Sequence, residues 1–470
     1  MLILFPNKQA KLQTKNITFQ QANIQPSEAI VSPEHPWETP RINMYGSVFK
    51  TDHTYEMFYQ CGNALRIGYA KSEDGLVWEK PLINATDLSA QAHDIILNEY
   101  AQSISGNTYT GKYKVTNLVA GYHMPSILYE PESDKPYKIF AFGEGGYRVL
   151  YSLNGQQFTE YSSNPAIELL SYQNPITKKY WCSDVAPCFV DQGIYHAMIK
   201  TYELDEKQRT RRCVGHAKST DFNNWTEVKT LWIPGAEEDE IAQKRGYQWA
   251  DFYGLCPFRY GDNFLGYLWL FEIDHELPNG THLGKIEVFL AFSEDGLSWR
   301  RLSDKPLIPW DLNFGEEGGM VTTPSAPVFD ENEIKLYYTD SNYEHGFCEK
   351  DYTKELIEPT WVVRCAQIKK ERLVGAYAKE GEVVFDISGI EIDRIRLNLD
   401  CSNGVVVFSI LKKNKTVFEK RINDCDETDF ICDLNQELEA RLASTEQNID
   451  LKLTIKNASL YAIELLCDQG

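Results

Sequence analysis

A short polar turn recurs along this chain. It reads "SEDGLVW" from Ser72, "SLNGQQF" from Ser152, "STDFNNW" from Ser219 and "SEDGLSW" from Ser293, so successive copies start 80, 67 and 74 residues apart. The shared form is Ser, any residue, Asp or Asn, usually Gly, two more residues and an aromatic. Asp-Gly or Asn-Gly between extended segments marks a hairpin, because both residues accept positive φ. Each copy follows an apolar strand: "LRIGYAKS", "RVLYS", "CVGHAKS" and "IEVFLAFS". Strands and turns repeated at this period imply repeated sheets, and radial repetition is the usual way to arrange them.

A second unit precedes each hairpin, an apolar strand running through a polar turn into another strand. It is seen in "GSVFKTDHTYEMFYQC", "PSILYEPESDKPYKIFAF", "APCFVDQGIYHAMIK", "CPFRYGDNFLGYLWLF" and "APVFDENEIKLYYTD". That makes five such units against four hairpin motifs. The predicted fold class is therefore all-β, with a five-bladed β-propeller over residues 1–376. An all-β sandwich with chance similarity is the alternative. From Tyr377 the texture changes to short alternating strands such as "GEVVFDI", "RIRLNLD" and "LKLTIKN", which predict a C-terminal β-sandwich over 377–470. Within it, "LNQELEARLAS" reads as one short helix or a loop with helical character.

Composition narrows the function. The 27 Tyr, 22 Phe and 10 Trp suit a β-rich protein, or one that binds flat apolar faces such as sugar rings. A formal charge of −21 argues against nucleic acid and anionic membrane as partners. The start "MLILFPNKQAK" lacks a secretory apolar run, and no stretch approaches the ~20 apolar residues of a spanning helix. The 11 cysteines are scattered without a CxxC pair, so reduced thiols in a cytoplasmic protein are expected. There is no HExxH, GxSxG, Walker or dinucleotide fingerprint. No cofactor and no transition metal are expected, while an axial calcium or sodium ion stays open because oxygen ligands leave little sequence trace. Oligomeric state is not legible.

With these motifs in view, the chain resembles the five-bladed propeller glycoside hydrolases of families 32, 43 and 68. It looks closest to little-described bacterial relatives of family 32, which pair a propeller with a C-terminal sandwich. The resemblance rests on "HPWETPRINMYGSVF", "WCSDVAPCF", the repeated turns and the passage "RLVGAYAKEGEVVF". It implies a pocket on the propeller axis with acids at the starts of the inner strands. Glycosidic cleavage needs one carboxyl to protonate the leaving oxygen and another to attack or to activate water.

The resemblance implies three catalytic candidates. Asp184 matches a middle-blade Asp that binds hydroxyls and tunes the acid; an Asx turn is the alternative. Asp251, in "QWADFYGLCPF", stands where related enzymes present a general acid, usually Glu. Glu38 is the candidate first-blade acid, because Asn43 occupies the register of the family nucleophile and an amide cannot replace a carboxylate. Arg41 reads as an anchor for hydroxyls or a carboxylate, or as the ion-pair partner of Glu38 closing the propeller. His123 is equivalent in position to Asp184, and Glu144 and Glu316 (with Glu317) lie in Gly-rich loops. Trp37 and Trp249 flank candidate acids and would stack on sugar rings. The acidic run Glu237, Glu238, Asp239 and Glu240 reads as a solvated loop, and Asp74 and Asp295 read as turn formers.

The expected activity is cleavage of a glycosidic bond in an oligosaccharide or glycoconjugate, with a carbohydrate as partner. Two alternatives stay open. One is a propeller that binds carbohydrate without turnover. The other does different acid/base work, such as lyase or cyclase chemistry on a biosynthetic intermediate.

Overall fold

The computed structural model describes residues 2–5, 13–35, 37–38, 41–52, 54–62, 66–84, 115–169, 183–277, 281–346, 361–390, 392–434 and 448–467. The expected helix or loop at "LNQELEARLAS" lies almost wholly outside the described residues.

The described residues between Ala29 and Lys369 are mostly antiparallel sheet. The first sheet runs Ile42–Lys50, Tyr55–Cys61, Arg66–Ser72 and Leu118–Ala120, each strand hydrogen-bonded to the next. The second runs His123–Tyr129, Tyr137–Gly143, Gly146–Ser152 and Thr159–Glu160. The third runs Cys188–Asp191, Ile194–Leu204, Thr210–Ser219 and Lys229–Trp232. The fourth runs Trp249–Tyr260, Asn263–Glu276, His282–Ser293 and Arg300–Arg301. In the fifth, Met320–Thr322 and Val328–Phe329 lie inside Glu333–Ser341, followed by Trp361–Lys369 and then Ala29–Val31. A single parallel pairing, Ile286 with Met320, links the fourth sheet to the fifth.

Side-chain and backbone contacts link each sheet to the next and the fifth back to the first. The Ser47 hydroxyl accepts the Ile127 amide at 3.0 Å, and the Ser126 hydroxyl accepts the Cys188 amide at 2.9 Å. Trp269 Nε1 donates to Thr323 Oγ1 at 3.0 Å, and the Ser325 amide donates to the Gly46 carbonyl at 2.9 Å, which returns the circle to the first sheet. Between the third and fourth sheets Phe189 meets Phe264, with ring centres 5.7 Å apart. On the axis, Tyr45, Met124, Val185, Cys256 and Trp269 leave a cavity of about 10 Å³. That is room for about one water.

The recurring turns follow the third strand of the first four sheets: in the second, third and fourth they lead into the outermost strand, and in the first into an isolated bridge between Lys71 and Glu79. In each, the Ser hydroxyl and the Asp or Asn side chain gather the turn amides. Asp295 Oδ1 accepts from Leu297 and Ser298 at 2.8 and 2.6 Å, and the Gly296 amide donates to Ser293 Oγ at 2.9 Å. Trp299 folds back to donate from Nε1 to the Gly296 carbonyl at 2.9 Å. Gly75, Gly155 and Gly296 take φ of 77, 71 and 75° there, whereas Phe222 holds φ 63° at the same place in the third copy. Phe222 is fully buried against Phe140, Tyr195 and Trp225, and that packing offsets its unfavourable backbone. The fifth sheet has no such hairpin because its outer strand, Ala29–Val31, arrives from the start of the chain. This accounts for five units and four motifs.

Two further sheets share a second apolar core, which includes Phe385, Leu397, Phe408, Leu453 and Ile463. One has the order Thr18–Gln21, Val374–Ala378, Ala458–Leu466, Arg394–Asp400, Asp426–Asp433. The other has the order Gln13–Lys15, Gly381–Asp386, Ile449–Lys456, Val405–Lys412, Lys415–Asn423. Strict alternation, as in Ile449–Lys456, gives each strand one buried face. The expected division at 376/377 is corrected at both ends. Leu2–Leu4, Gln13–Lys15 and Thr18–Gln21 pair with the C-terminal sheets, and the strand Val374–Ala378 already belongs to them.

The acidic run is also corrected. It forms helix α1, Ala236–Lys244, in which Glu238 and Asp239 are buried and ion-paired. Glu238 meets Arg301 at 2.9 Å and Asp239 meets Arg211 at 2.8 Å, while Glu237 and Glu240 face solvent.

Asp295→Ala removes the acceptor for those amides and is expected to destabilise the chain by about 1–2 kcal/mol. Burial raises the Asp295 carboxyl, but the Ser298 and Leu297 amides more than offset this and draw it down to about 2. Its folded pKa is depressed, so this stabilisation is present above the ordinary Asp value and is lost as pH falls through about 2. Denaturant melts at pH 7 should separate wild type from variant, and melts near pH 2 should bring them together.

Candidate functional site

A contiguous polar cluster is drawn from the first strands of the second and fourth sheets and from the segment leading into the third. Asp184 is its centre. The residue adopts φ 44°, uncommon for a non-glycine side chain, and its Oδ1 accepts the Val185 amide at 2.8 Å. Lys200, from the next strand, ion-pairs with Oδ1 at 2.6 Å, and His123 Nε2 lies 3.8 Å from Oδ2. Burial pushes the Asp184 carboxyl up, but Lys200 and His123 more than offset it and hold the group well below the usual carboxylate range. About a fifth of its side chain, 22 %, still reaches the surface. It is a half-buried carboxylate held toward its ionised form.

Around it the cluster continues. Lys200 Nζ stands 4.2 Å from the centre of the Tyr253 ring, and Ser183 Oγ shares a hydrogen bond of 2.7 Å with Tyr202 Oη. Tyr253 abuts His345, whose ring also lies against Phe271 and whose Nδ1 is 2.7 Å from the His282 carbonyl. Burial and nearby Arg212 lower the His345 imidazole to about 3, so it is neutral at physiological pH. Arg212 stacks over Phe271 and reaches Asp251 at 3.3 Å and His282 Nδ1 at 2.6 Å. Its Nε and the Trp249 Nε1 are buried without a hydrogen-bond partner, as are Asn43 Oδ1 and Thr322 Oγ1.

The expected residues divide unevenly. Asp184, His123, Asp251 and Trp249 are brought into this cluster. Asp251 is wholly buried, and its Oδ1 accepts from Arg211 Nε at 2.8 Å. Burial raises its carboxyl against the pull of Arg212 and Arg211. Two guanidiniums therefore fix Asp251, and it holds Arg212 in place. Trp249 is flanked by Arg209, 5.1 Å from its ring, and by the His282 ring at 5.5 Å. Asn43 is buried at the start of the first inner strand, opposite Gln60.

Glu38 is not on the axis. It is fully buried beneath the first sheet, accepting from Tyr59 Oη at 2.5 Å and from the Glu34 amide at 2.8 Å, and it pairs with Lys80 at 2.9 Å. Burial raises its carboxyl, and Lys80 and Tyr59 outweigh that and leave it lowered. The expected ion pair with Arg41 is absent among the described residues, because Arg41 stacks on Trp361 at 5.1 Å. Trp37 is buried, donating to Asn117 Oδ1 at 2.7 Å. The Glu144 and Glu316 side chains are exposed, each in a turn whose carbonyl takes a cation's hydrogen bond, from Arg148 at 3.0 Å and Lys285 at 2.9 Å. These corrections share one cause. Proximity in sequence to an inner strand does not fix which way a loop side chain turns.

Sequence reasoning missed Lys200, Arg212, Tyr253, His282 and His345. The available signal was charge inside strands: Lys200 interrupts "HAMIKTYE" and Arg212 sits in "QRTRRC", on strands otherwise largely buried. Also missed were Glu272 and Glu287, diagonal neighbours on adjacent strands and both fully buried. A single guanidinium, Arg245 at the end of α1, contacts both, at 3.3 Å from Glu272, while Trp310 Nε1 donates to Glu272 at 3.2 Å. Among the described residues, no group of three or more His, Cys, Asp or Glu is placed to hold a metal ion. No helix there is long and apolar enough to cross a membrane.

No family model and no curated protein matches this sequence. Solved structures do. A glycosyl hydrolase from Bacteroides ovatus is 15% identical over 75% of this chain and 97% of its own, with a TM-score of 0.44. The GH32 β-fructofuranosidase of Bombyx mori is 10% identical over 94% of each chain, with a TM-score of 0.40. The catalytic domain of the Coprinopsis cinerea GH62 α-L-arabinofuranosidase is 11% identical over 74% of this chain and 97% of its own, with a TM-score of 0.44. A GH43 enzyme and a GH130 protein are similar at the same distant level. The likeness is remote, and the account of the site rests on its own geometry.

The glutamate pair gives a pH test. Burial raises both carboxyls, and repulsion from Glu272 adds to Glu287, while Arg245 opposes; the pair titrates together toward about 7 and about 8. Asp311 adds to the repulsion on both carboxyls, and Lys285 favours the ionised Glu272. Raised folded pKa values mean stability that is full below the ordinary Glu range and lost as pH rises through the pair's titration. Melting temperature should fall from pH 5 to 9 in wild type, and Glu287→Gln should flatten that slope.

Proposed function

We propose that the chain is a five-bladed β-propeller followed by a β-sandwich, and that the mouth around Asp184 binds a carbohydrate and acts on its glycosidic bond. The observation that carries this reading is the Asp184–Lys200–His123 arrangement at the start of an inner strand. A carboxylate kept ionised beside a cation cannot serve as the proton donor. It suits contact with sugar hydroxyls and stabilisation of the positive charge that develops at the anomeric carbon. His123, whose Nε2 lies 3.8 Å away, is the neighbouring group assigned to pass a proton to the leaving oxygen. Trp249, partly exposed, offers an aromatic ring for a sugar to lie against. Asp251 acts through Arg212 as a positioning residue.

A second reading, binding without turnover, is favoured by one observation. Of the three carboxylates expected to share the pocket, Glu38 lies elsewhere and Asp251 is locked by two guanidiniums. A panel of aryl glycosides and oligosaccharides separates the two. Turnover by wild type, with kcat lowered about a thousandfold in Asp184→Asn and the fold retained, supports the first. Saturable binding with no product over long incubation supports the second. Undiminished turnover in Asp184→Asn overturns the assignment of Asp184. Lys200→Met removes the cation that depresses Asp184, so the acidic limb of the pH–rate profile should move to higher pH.

A further inference from the structure

The nine cysteines among the described residues are free thiols, and two of them face each other. Cys401 follows the strand Arg394–Asp400, and Cys425 precedes Asp426–Asp433. Those strands pair Leu399 with Glu427 and Asp400 with Asp426. The ladder continues one step further, through a hydrogen bond from the Cys401 amide to the Cys425 carbonyl at 2.7 Å. Partners in this hydrogen-bonded antiparallel register have Cα atoms ~5.5 Å apart. A disulfide needs ~4.4–6.8 Å.

Their position gives the pair a consequence. The next residue, Asp426, pairs with Lys369 at 2.6 Å and Arg372 at 2.5 Å, both at the end of the fifth ring sheet. Arg372 in turn donates to Asn398 Oδ1 at 2.8 Å and to the Leu399 carbonyl at 3.1 Å. The strand ends that carry the cysteines therefore also carry the joint between the ring and the C-terminal sheets.

We propose that Cys401 and Cys425 form a disulfide when the protein meets a small disulfide oxidant such as oxidised glutathione, clamping this joint. Cys425 is partly exposed and Cys401 fully buried, so Cys425 reacts first. Its thiolate attacks one sulfur of the oxidant, the oxidant's S–S bond breaks, and one glutathione leaves as a thiolate that takes up a proton. The Cys401 thiolate then attacks the Cys425 sulfur of the mixed disulfide and expels the second glutathione. The two protein thiols are oxidised and one glutathione disulfide is reduced to two thiols. Burial and the nearby Glu427 carboxylate push the Cys425 thiol up to about 11. The reaction should therefore quicken about tenfold per pH unit between pH 7 and 10.

The test uses the full chain, incubated with oxidised or reduced glutathione, alkylated and mapped by non-reducing peptide mass spectrometry. A peptide joining Cys401 to Cys425, two hydrogens lighter than its parts, is expected only after oxidation. Melting temperature should rise by several degrees and return to its starting value with dithiothreitol. Cys425→Ser should abolish both effects. Separate alkylation of both cysteines after oxidation, or a lasting glutathione adduct on Cys425, would overturn the proposal. The wild-type peptide decides this by itself should the variant fold poorly.

Discussion

The circle of sheets depends on one borrowed strand. Ala29–Val31 completes the fifth sheet by pairing with Val363 and Arg364, so the last strand of the ring is supplied from near its first residue. Without it, Trp361–Lys369 would present an unpaired edge, which proteins rarely leave open. The pairing also lays the segment after Val31 between the fifth and first sheets. Glu38 is buried there, where Tyr59, Lys80 and the amides of Glu34 and His35 gather on one carboxylate. A residue that looked like a catalytic acid thus serves the seam. Its acidity is spent on neutralising buried donors, since a lone buried charge is costly.

The same rule shapes the mouth of the axis. Arg209, Arg211 and Arg212 face Asp205, Asp239 and Asp251 in a connected network, with helix α1 contributing Asp239. The buried members, Arg211, Asp239 and Asp251, each meet an opposite charge. The network fixes Arg212 against Phe271 and so sets one wall of the cluster. Asp184 differs, because its single strong partner, Lys200, leaves one oxygen directed toward His123 and part of the side chain open. That difference in partnering, more than position along the chain, sets Asp184 apart from Asp251 and Glu38.

Much of the architecture was legible because strands and turns leave local marks. The Ser-x-Asp turns could be read from seven-residue windows, since their hydrogen bonds run almost entirely within the turn. Asp74 and Asp295 were accordingly recognised as turn formers, and the fifth unit's missing hairpin was visible as a gap. The N-terminal strands Leu2–Leu4, Gln13–Lys15 and Thr18–Gln21 were not assigned to the C-terminal sheets. Their partners lie more than three hundred residues away, and nothing in three or four residues names them. The acidic run was misread for a related reason. Its partners Arg211 and Arg301 come from two other strands, and burial was invisible without them.

The amino-acid sequence by itself determined the repeating sheet-and-turn unit, the change of texture near Tyr377, and Asp184, Asp251, His123 and Trp249 as residues at the starts of inner strands. These follow from periodicity and local hydrogen bonding. Only the tertiary structure decided which acids share a site and in what ionisation state. Lys200, Arg212 and Lys80 reach their carboxylates from strands or loops at least 16 residues away in the chain. Electrostatics acts through space, so the same carboxylate becomes a seam, a brace or an open ionised group according to the cations that folding brings beside it.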